Sequence, residues 1–264
     1  MISYRTLINL AAIALSGIYV VSSQLPKLRQ QTNNDPRAAA ELAVKQEQAR
    51  LAAIARLPQS GFGFNNLIAN WAFLSFLQYF GDDQARGTHG TGYGLSAAYF
   101  DQIIRRDPRF LSSYIYLSSS VSIFAGQPQK SVDLIKYGSQ FLQPELQPLA
   151  YTVWRFKGID QLLFLGDTAA ARQSFLTAAE WAERATFRGD ELPGIENAAA
   201  RSRETAAFLA TNPDSRSARI NGWALVLSSA ADQKTRAVAI AELDKLGIRV
   251  EFNQDGNFSL KSKS

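Results

Sequence analysis

The loop GDDQARGTHGTGYG, Gly81 to Gly94, gathers the side chains best suited to chemistry: Asp82, Asp83 and His89, the single histidine, set among glycines. An imidazole beside a carboxylate makes an acid–base pair, and glycine-rich loops can cradle phosphate through backbone N–H groups. Neither reading completes itself here. The loop lacks the Lys-Ser/Thr that closes a phosphate-binding loop, no strand precedes it as a dinucleotide fingerprint requires, and no nucleophile is placed by pattern. The plainer reading is a connector between two helices, long enough to meet a partner or a lipid surface. The chain has no cysteine, which excludes disulfides, thiolate metal sites and cysteine nucleophiles. One histidine also excludes a two-His zinc motif. Asp101, Asp133, Asp160, Glu180, Glu183 and Glu204 fall singly at helical spacing and form no metal constellation. The expectation is a protein that is not an enzyme, with no catalytic residues, no cofactor and no metal.

The elements that hold this loop are helical in pattern. With 264 residues, 46% hydrophobic and 19% charged, the chain can build a substantial core. The net charge of +5 is spread over small groups such as Arg105, Arg106 and Arg109, or Arg201 and Arg203, interleaved with acids. That pattern suits solvated helix surface rather than nucleic acid.

The N-terminus reads as a membrane address. LINLAAIALSGIYVVSSQL, Leu7 to Leu25, carries no charge and is flanked by Arg5, Lys27 and Arg29. As a helix it would cover nearly 30 Å, about one bilayer core. The first reading is an uncleaved transmembrane signal anchor over residues 1–25, touching lipid through residues 7–25. The alternative is a signal peptide cut before Gln24, leaving an exported helical-repeat binding protein. Basic residues on both sides give no clear orientation. A short N-terminal tail that stays in the cytoplasm favours a main domain on the periplasmic or lumenal side. Residues 26–60 follow as a polar tether and an Ala-rich helix, with Asp35 as N-cap and Pro36 in the first turn.

Turn signals then recur about one helix apart: Gly81-Asp82, Asp107-Pro108, Gly126-Gln127-Pro128, Pro144, Gly166-Asp167 and Gly189-Asp190. After Gly166, the small and aromatic positions Ala171, Phe175 and Ala178 stand at offsets of five, nine and twelve; after Gly126 the same offsets give Ser131, Ile135 and Gly138. Small residues let helix axes approach, so that ridges fill grooves. Gly158 and Trp154 each lie one place from the usual small and aromatic positions of a first helix. Pro108 to Pro144 spans 36 residues, close to the period of about 34 of a tetratricopeptide repeat. The fold expected is mostly α: a degenerate tetratricopeptide-like α-solenoid of antiparallel helix pairs over residues 61–211, after a single N-terminal transmembrane helix. Residues 212–264 add two helices and a small β-hairpin. In that last segment Asp232 caps a helix, Gly247 ends it, and Asp255-Gly256 turns the hairpin.

The run GFGFNNLIANWAFLSFLQYFGDD, Gly61 to Asp83, is uncharged up to Asp82 and strongly aromatic. Asn65, Asn66, Asn70, Ser75 and Gln78 would be costly in a bilayer. The expectation is a buried inner helix that starts the array, its amides satisfied by neighbouring backbone. NNLIANWAFLSFLQYFGD followed by AAYFDQIIRRDPRF resembles a family of bacterial membrane-anchored tetratricopeptide-repeat-like proteins, of cyanobacterial type. The residues that carry the likeness are Asn66, Trp71, Gln78, Tyr79, Phe80, Gly81 and Asp82, then Asp107, Pro108, Arg109 and Phe110. The resemblance covers about Phe62 to Phe187. It implies a helical scaffold beside a membrane and lends no chemistry.

The function expected is therefore a membrane-anchored scaffold that binds protein and assembles or stabilises a membrane protein complex. The alternative is a structural accessory subunit docked in such a complex, a photosynthetic one if the host is photosynthetic. Candidate partner contacts are Tyr114, Tyr151, Trp154 and Arg155, taken to lie on inner helices, together with His89 in the loop. No nucleic-acid partner is expected.

Overall fold

The computed structural model describes residues 16–19, 21–22, 35–58, 63–185, 197–211, 213–254 and 256–263. Within the apolar run 7–25, residues 16–19 and 21–22 are helical; the rest of that run lies outside the described residues. Among the described residues no helix is long and apolar enough to cross a membrane. The chain divides into two compact units, Met1–Glu47 and Gln48–Ser264. The first long helix begins in the first unit, and every later element belongs to the second.

The described chain is mostly helical. Helix α1 (Pro36–Ala55) begins where Asp35 Oδ1 accepts from the N–H groups of Arg37 and Ala38 at 3.0 and 3.3 Å. Helices α2 (Asn65–Phe80) and α3 (Ser96–Arg106) pack together through Phe76, Tyr79, Tyr99 and Phe100, all buried. Helix α4 (Ser113–Leu117) continues as a π-helical segment, Ser118–Phe124, and α5 (Pro128–Gly138) follows. Helix α6 (Tyr151–Asp160) likewise runs into a π-helical segment, Gln161–Leu165, before α7 (Thr168–Arg184). Helices α8 (Ala198–Ala210), α9 (Arg216–Ser229) and α10 (Gln233–Lys245) precede strands β1 (Ile248–Phe252) and β2 (Phe258–Ser262).

Two helix hairpins in the middle share a construction. Each first helix ends in a widened π turn, then a glycine with φ of +60° (Gly126) or +69° (Gly166) reverses the chain. In the second hairpin Asp167 caps the returning helix by accepting from Ala170 N–H at 2.9 Å. The offsets read from the sequence fall on the contact face both times: Ser131, Ile135 and Gly138 are buried, and so are Ala171, Phe175 and Ala178. Glycine is required by space at two crossings. A Cβ on Gly138 would collide with the Tyr114 hydroxyl, and one on Gly158 would lie 2.9 Å from the Phe175 ring.

One buried carboxylate joins the hairpins. Asp160, at the end of α6, has no exposed surface. It accepts from the hydroxyls of Ser118 (2.8 Å), Ser122 (2.7 Å) and Ser131 (2.6 Å), the first two in the π segment of the first hairpin and the third in α5. Burial pushes its pKa up to about 6, although all three serines pull the other way. Desolvation therefore outweighs the hydrogen bonds, but not by enough to keep the group protonated at neutral pH.

The C-terminal hairpin forms as the Asp255-Gly256 signal implies, Asp255 itself lying outside the described residues. Its antiparallel register pairs Ile248 with Ser262 and Phe252 with Phe258. It packs onto the preceding helices: Ile248, Val250 and Leu260 join Trp223, Val226 and Leu243 in one cluster. Asp232 caps α10 by accepting from Thr235 N–H at 3.0 Å, and Gly247 leaves it with φ +72°.

Asp160→Ala leaves three hydroxyls without their acceptor and is expected to lower stability by about 3 kcal/mol. Asp160→Asn keeps an acceptor and removes the titration. Between pH 3.8 and about 6 the folded chain holds a proton that the unfolded chain has lost, so wild-type stability falls with rising pH across that window and levels off above it. Urea unfolding at a series of pH values should show that slope in the wild type relative to Asp160→Asn. Parallel profiles would contradict it.

Candidate functional site

Two surface features stand out in the second unit. The first is a groove framed by the C-terminal half of α1, by α3 and by α5, with a volume of about 570 Å³. Its apolar lining is Leu51, Ala52 and Ala55 from α1, Ala98 from α3 and Leu134 from α5, the two leucines buried and the three alanines exposed. Spacing along each helix puts these residues on one face. The groove exists because Arg106 anchors the end of α1. Its guanidinium is buried and donates to the carbonyls of Ile54 (2.6 Å) and Leu57 (3.0 Å) and to Asn65 Oδ1 (3.3 Å). A cation at a helix C-terminus, satisfying its last carbonyls, is favourable on both counts.

The groove's rim holds charges of both signs. Asp101 and Arg105 pair at 2.6 Å, which holds the Arg105 guanidinium above its ordinary pKa, and Arg105 also lies 4.8 Å from the Tyr137 ring centroid. Lys130 and Asp133 face them from α5. Gln102 also lines the groove and is only 7% exposed. Its Nε2 donates to Asp101 Oδ2 at 3.3 Å, which fixes the amide orientation, and its Oε1 is buried with no hydrogen-bond partner. Leaving a buried acceptor unpaired costs about 1–3 kcal/mol.

The second feature is the outer face of α2. The helix expected to be a buried inner helix is buried along Ala69, Ala72, Ser75, Phe76 and Tyr79 only. Leu67 (62% exposed), Trp71 (43%) and Leu74 (60%) form a stripe on the opposite face, with Phe64 and Leu77 beside it. Asn66, Asn70 and Gln78 are exposed too, so these amides are not satisfied inside a core. The helix carries two apolar stripes, and α3 covers only one. The uncharged surface extends onto α4, where Tyr116 and Ile115 are exposed and the Tyr116 ring meets Phe73 at 5.4 Å.

The sequence-derived contact residues are not brought together as a surface. Tyr114 is wholly buried; its hydroxyl donates to the Pro108 carbonyl at 2.8 Å, and burial pushes its pKa up. Tyr151 is 7% exposed and packs with Ala182 and Ala198. Both are core residues, because the close crossing at Gly138 and the packing of α6 on α7 enclose them. Trp154 is half-buried edge-on against Trp181, with Lys157 Nζ 4.7 Å from its ring centroid; burial and the neighbouring Lys136 lower the Lys157 pKa. Arg155 is partly exposed on the same helix.

His89 lies partly buried at the end of a π-helical turn, Gln84–Thr88. The loop around it is folded down rather than open. Arg86 is buried with its guanidinium 4.2 Å from the Tyr79 ring centroid, and both Arg86 and the Tyr79 hydroxyl donate to the Gly92 carbonyl. Gly92, at φ +64°, packs directly on Asp232. The Asp82 carboxylate accepts from Ala85 N–H at 3.0 Å, as a local turn does. Among the described residues no group of three or more His, Asp or Glu side chains could hold a metal.

Compared with known protein families, curated proteins and solved structures, the chain matches none.

Gly92→Ala combines a left-handed backbone with a collision against Asp232 and is expected to destabilise by about 2 kcal/mol or more, read by thermal unfolding. Gln102→Leu removes the orphaned acceptor and should raise stability by about 1 kcal/mol in urea unfolding. A loss of similar size would show that the amide serves the fold.

Proposed function

We propose that this chain is a non-enzymatic, membrane-anchored helical scaffold that binds protein and serves the assembly or stabilisation of a membrane protein complex. The observation that carries this reading is the uncharged outer face of α2. Isolated exposed apolar side chains are ordinary, but a contiguous stripe of large ones marks an interaction site. The chain has no charged residue from Leu57 to Gly81. Charge complementarity therefore points to an uncharged partner surface. Two such surfaces exist beside a membrane: lipid chains and the apolar flank of another subunit. The amides of Asn66, Asn70 and Gln78 favour the subunit, because hydrocarbon offers them no hydrogen-bond partners and a protein does. The apolar run 7–25 supplies the anchor in this reading. The helix-hairpin construction, with its repeat-like offsets, supplies a tetratricopeptide-like frame.

A benzophenone side chain placed at position 71 in the native host should crosslink to one membrane-protein subunit, and the same probe at Arg172, on the charged face of α7, should not. Leu67→Asp with Leu74→Asp should leave folding almost unchanged, since both positions are exposed, and should release the partner. Equal crosslinking at both positions, or a product made only of lipid or of a second copy of this chain, would sink the proposal.

A further inference from the structure

We infer that β1 is a self-association edge: two copies of this chain join their β1 strands antiparallel about a twofold axis at Val250, making one four-stranded sheet. The inference goes beyond the scaffold reading and uses no residue of the α2 face.

The hairpin register decides which backbone groups are free. Lys263 N–H donates to the Gly247 carbonyl at 2.8 Å and Asn253 N–H to the Asn257 carbonyl at 2.9 Å, at the two ends of the ladder. Hydrogen-bonded pairs alternate along an antiparallel ladder. Val250 pairs with Leu260, so Arg249 and Glu251 turn their N–H and C=O groups toward β2, and Ile248, Val250 and Phe252 turn theirs away. Among the described residues, none of those outward groups bonds to another segment. Helix α10 covers a face of the sheet, not this edge: Ile248 and Val250 of β1 and Phe258 and Leu260 of β2 share one cluster with Val238 and Leu243. On the other face Arg249 and Lys261 are exposed, and Phe252 is 47% exposed at the end of the strand.

Charge selects the occupant and its register. With the axis at Val250, that residue meets Val250 of the second copy and Ile248 meets Phe252 of the second copy, so the outward groups of all three residues find partners. Arg249 then stands opposite Glu251 of the second copy, and Glu251 opposite Arg249 of the second copy. Opposite charges directly across a ladder attract and like charges repel. An axis one residue away in either direction sets Arg249 against Arg249 or Glu251 against Glu251. Glu251 already pairs with Lys261 inside the hairpin, so the incoming guanidinium completes a Lys–Glu–Arg row across the sheet. The β2 edge offers no such match. It carries Lys261, with Lys263 just beyond, and no acid, and lysines on an edge oppose pairing. The twofold dimer is therefore closed, its outer edges being the two β2 strands. A lone hairpin is marginal, and doubling it to four strands stabilises it.

The test is sedimentation velocity of the full-length chain in detergent micelles over a concentration series, for the wild type, Arg249→Glu, Glu251→Arg and the variant carrying both substitutions. The wild type should dimerise with a Kd on the order of 10 μM, as suits a contact below standard interface size. Each single substitution opposes like charges twice across the axis and should weaken the dimer by about tenfold. An equimolar mixture of the two single variants regains both opposite-charge pairs and should associate nearly as the wild type does. The variant carrying both substitutions should recover association as well. Glu251→Arg also breaks the ion pair with Lys261, whereas Arg249→Glu leaves it intact, so loss with Arg249→Glu and recovery with both substitutions test the register even if Glu251→Arg folds poorly alone. A wild type that stays monomeric, single variants that dimerise like the wild type, or a mixture no stronger than its components overturns the inference.

Discussion

The central constraint on this molecule is the buried carboxylate at the end of α6. Asp160 sits without solvent access and must find its hydrogen bonds within the protein. Three serine hydroxyls supply them from two segments of the preceding hairpin. A helix pair held only by apolar packing can slide or rotate at modest cost. A pair whose interface encloses a charge cannot, because any shift strands that charge or its donors. The close crossings at Gly138 and Gly158 follow from the same register. The Tyr114 hydroxyl fills the space above one glycine and the Phe175 ring the space above the other.

With the two hairpins locked, the flanking elements fall into place and leave two surfaces exposed. Arg106 fixes the end of α1 against α3, and the gap that remains toward α5 is the groove. Helix α2 lays one apolar stripe on α3 and leaves the other open. Both features work against the isolated chain. An orphaned amide oxygen costs stability, and exposed leucines beside a tryptophan invite association. Such costs fit a protein whose native surroundings include partners, and they connect the packing of the helices with the scaffold role proposed for them.

Much of the frame is legible in the sequence because it depends on local rules. A glycine in the left-handed region followed by a capping aspartate announces the turn at Gly166-Asp167, and period-3.6 offsets name the buried faces of α5 and α7. Asp232, Gly247 and the Asp255-Gly256 hairpin are legible for the same reason. The features that escape sequence reasoning depend on long-range neighbours. Asp160 looks like any single acid at helical spacing, since its serines lie 29 to 42 residues away. Gln102 looks like an ordinary amide on an amphipathic helix. Tyr114 and Tyr151 pass for contacts because tyrosine suits an interface as well as a core. The outer stripe of α2 passes for a buried face, because hydrophobicity says what prefers burial and not whether a neighbour arrives to provide it. The loop holding His89 looks open, and the ring of Tyr79 and the start of α10 close it.

The most direct measurement is covalent footprinting of Trp71 and Leu74 by photochemically generated carbenes, quantified by mass spectrometry. The chain would be compared in gently solubilised native membranes, where complexes persist, and after purification to homogeneity in the same detergent. Protection of both residues in the first sample and labelling in the second, with Arg172 labelled alike in both, is the predicted result. Equal labelling of Trp71 and Leu74 in the two samples would mean that no protein covers the α2 face, and the scaffold account would fail at its central claim.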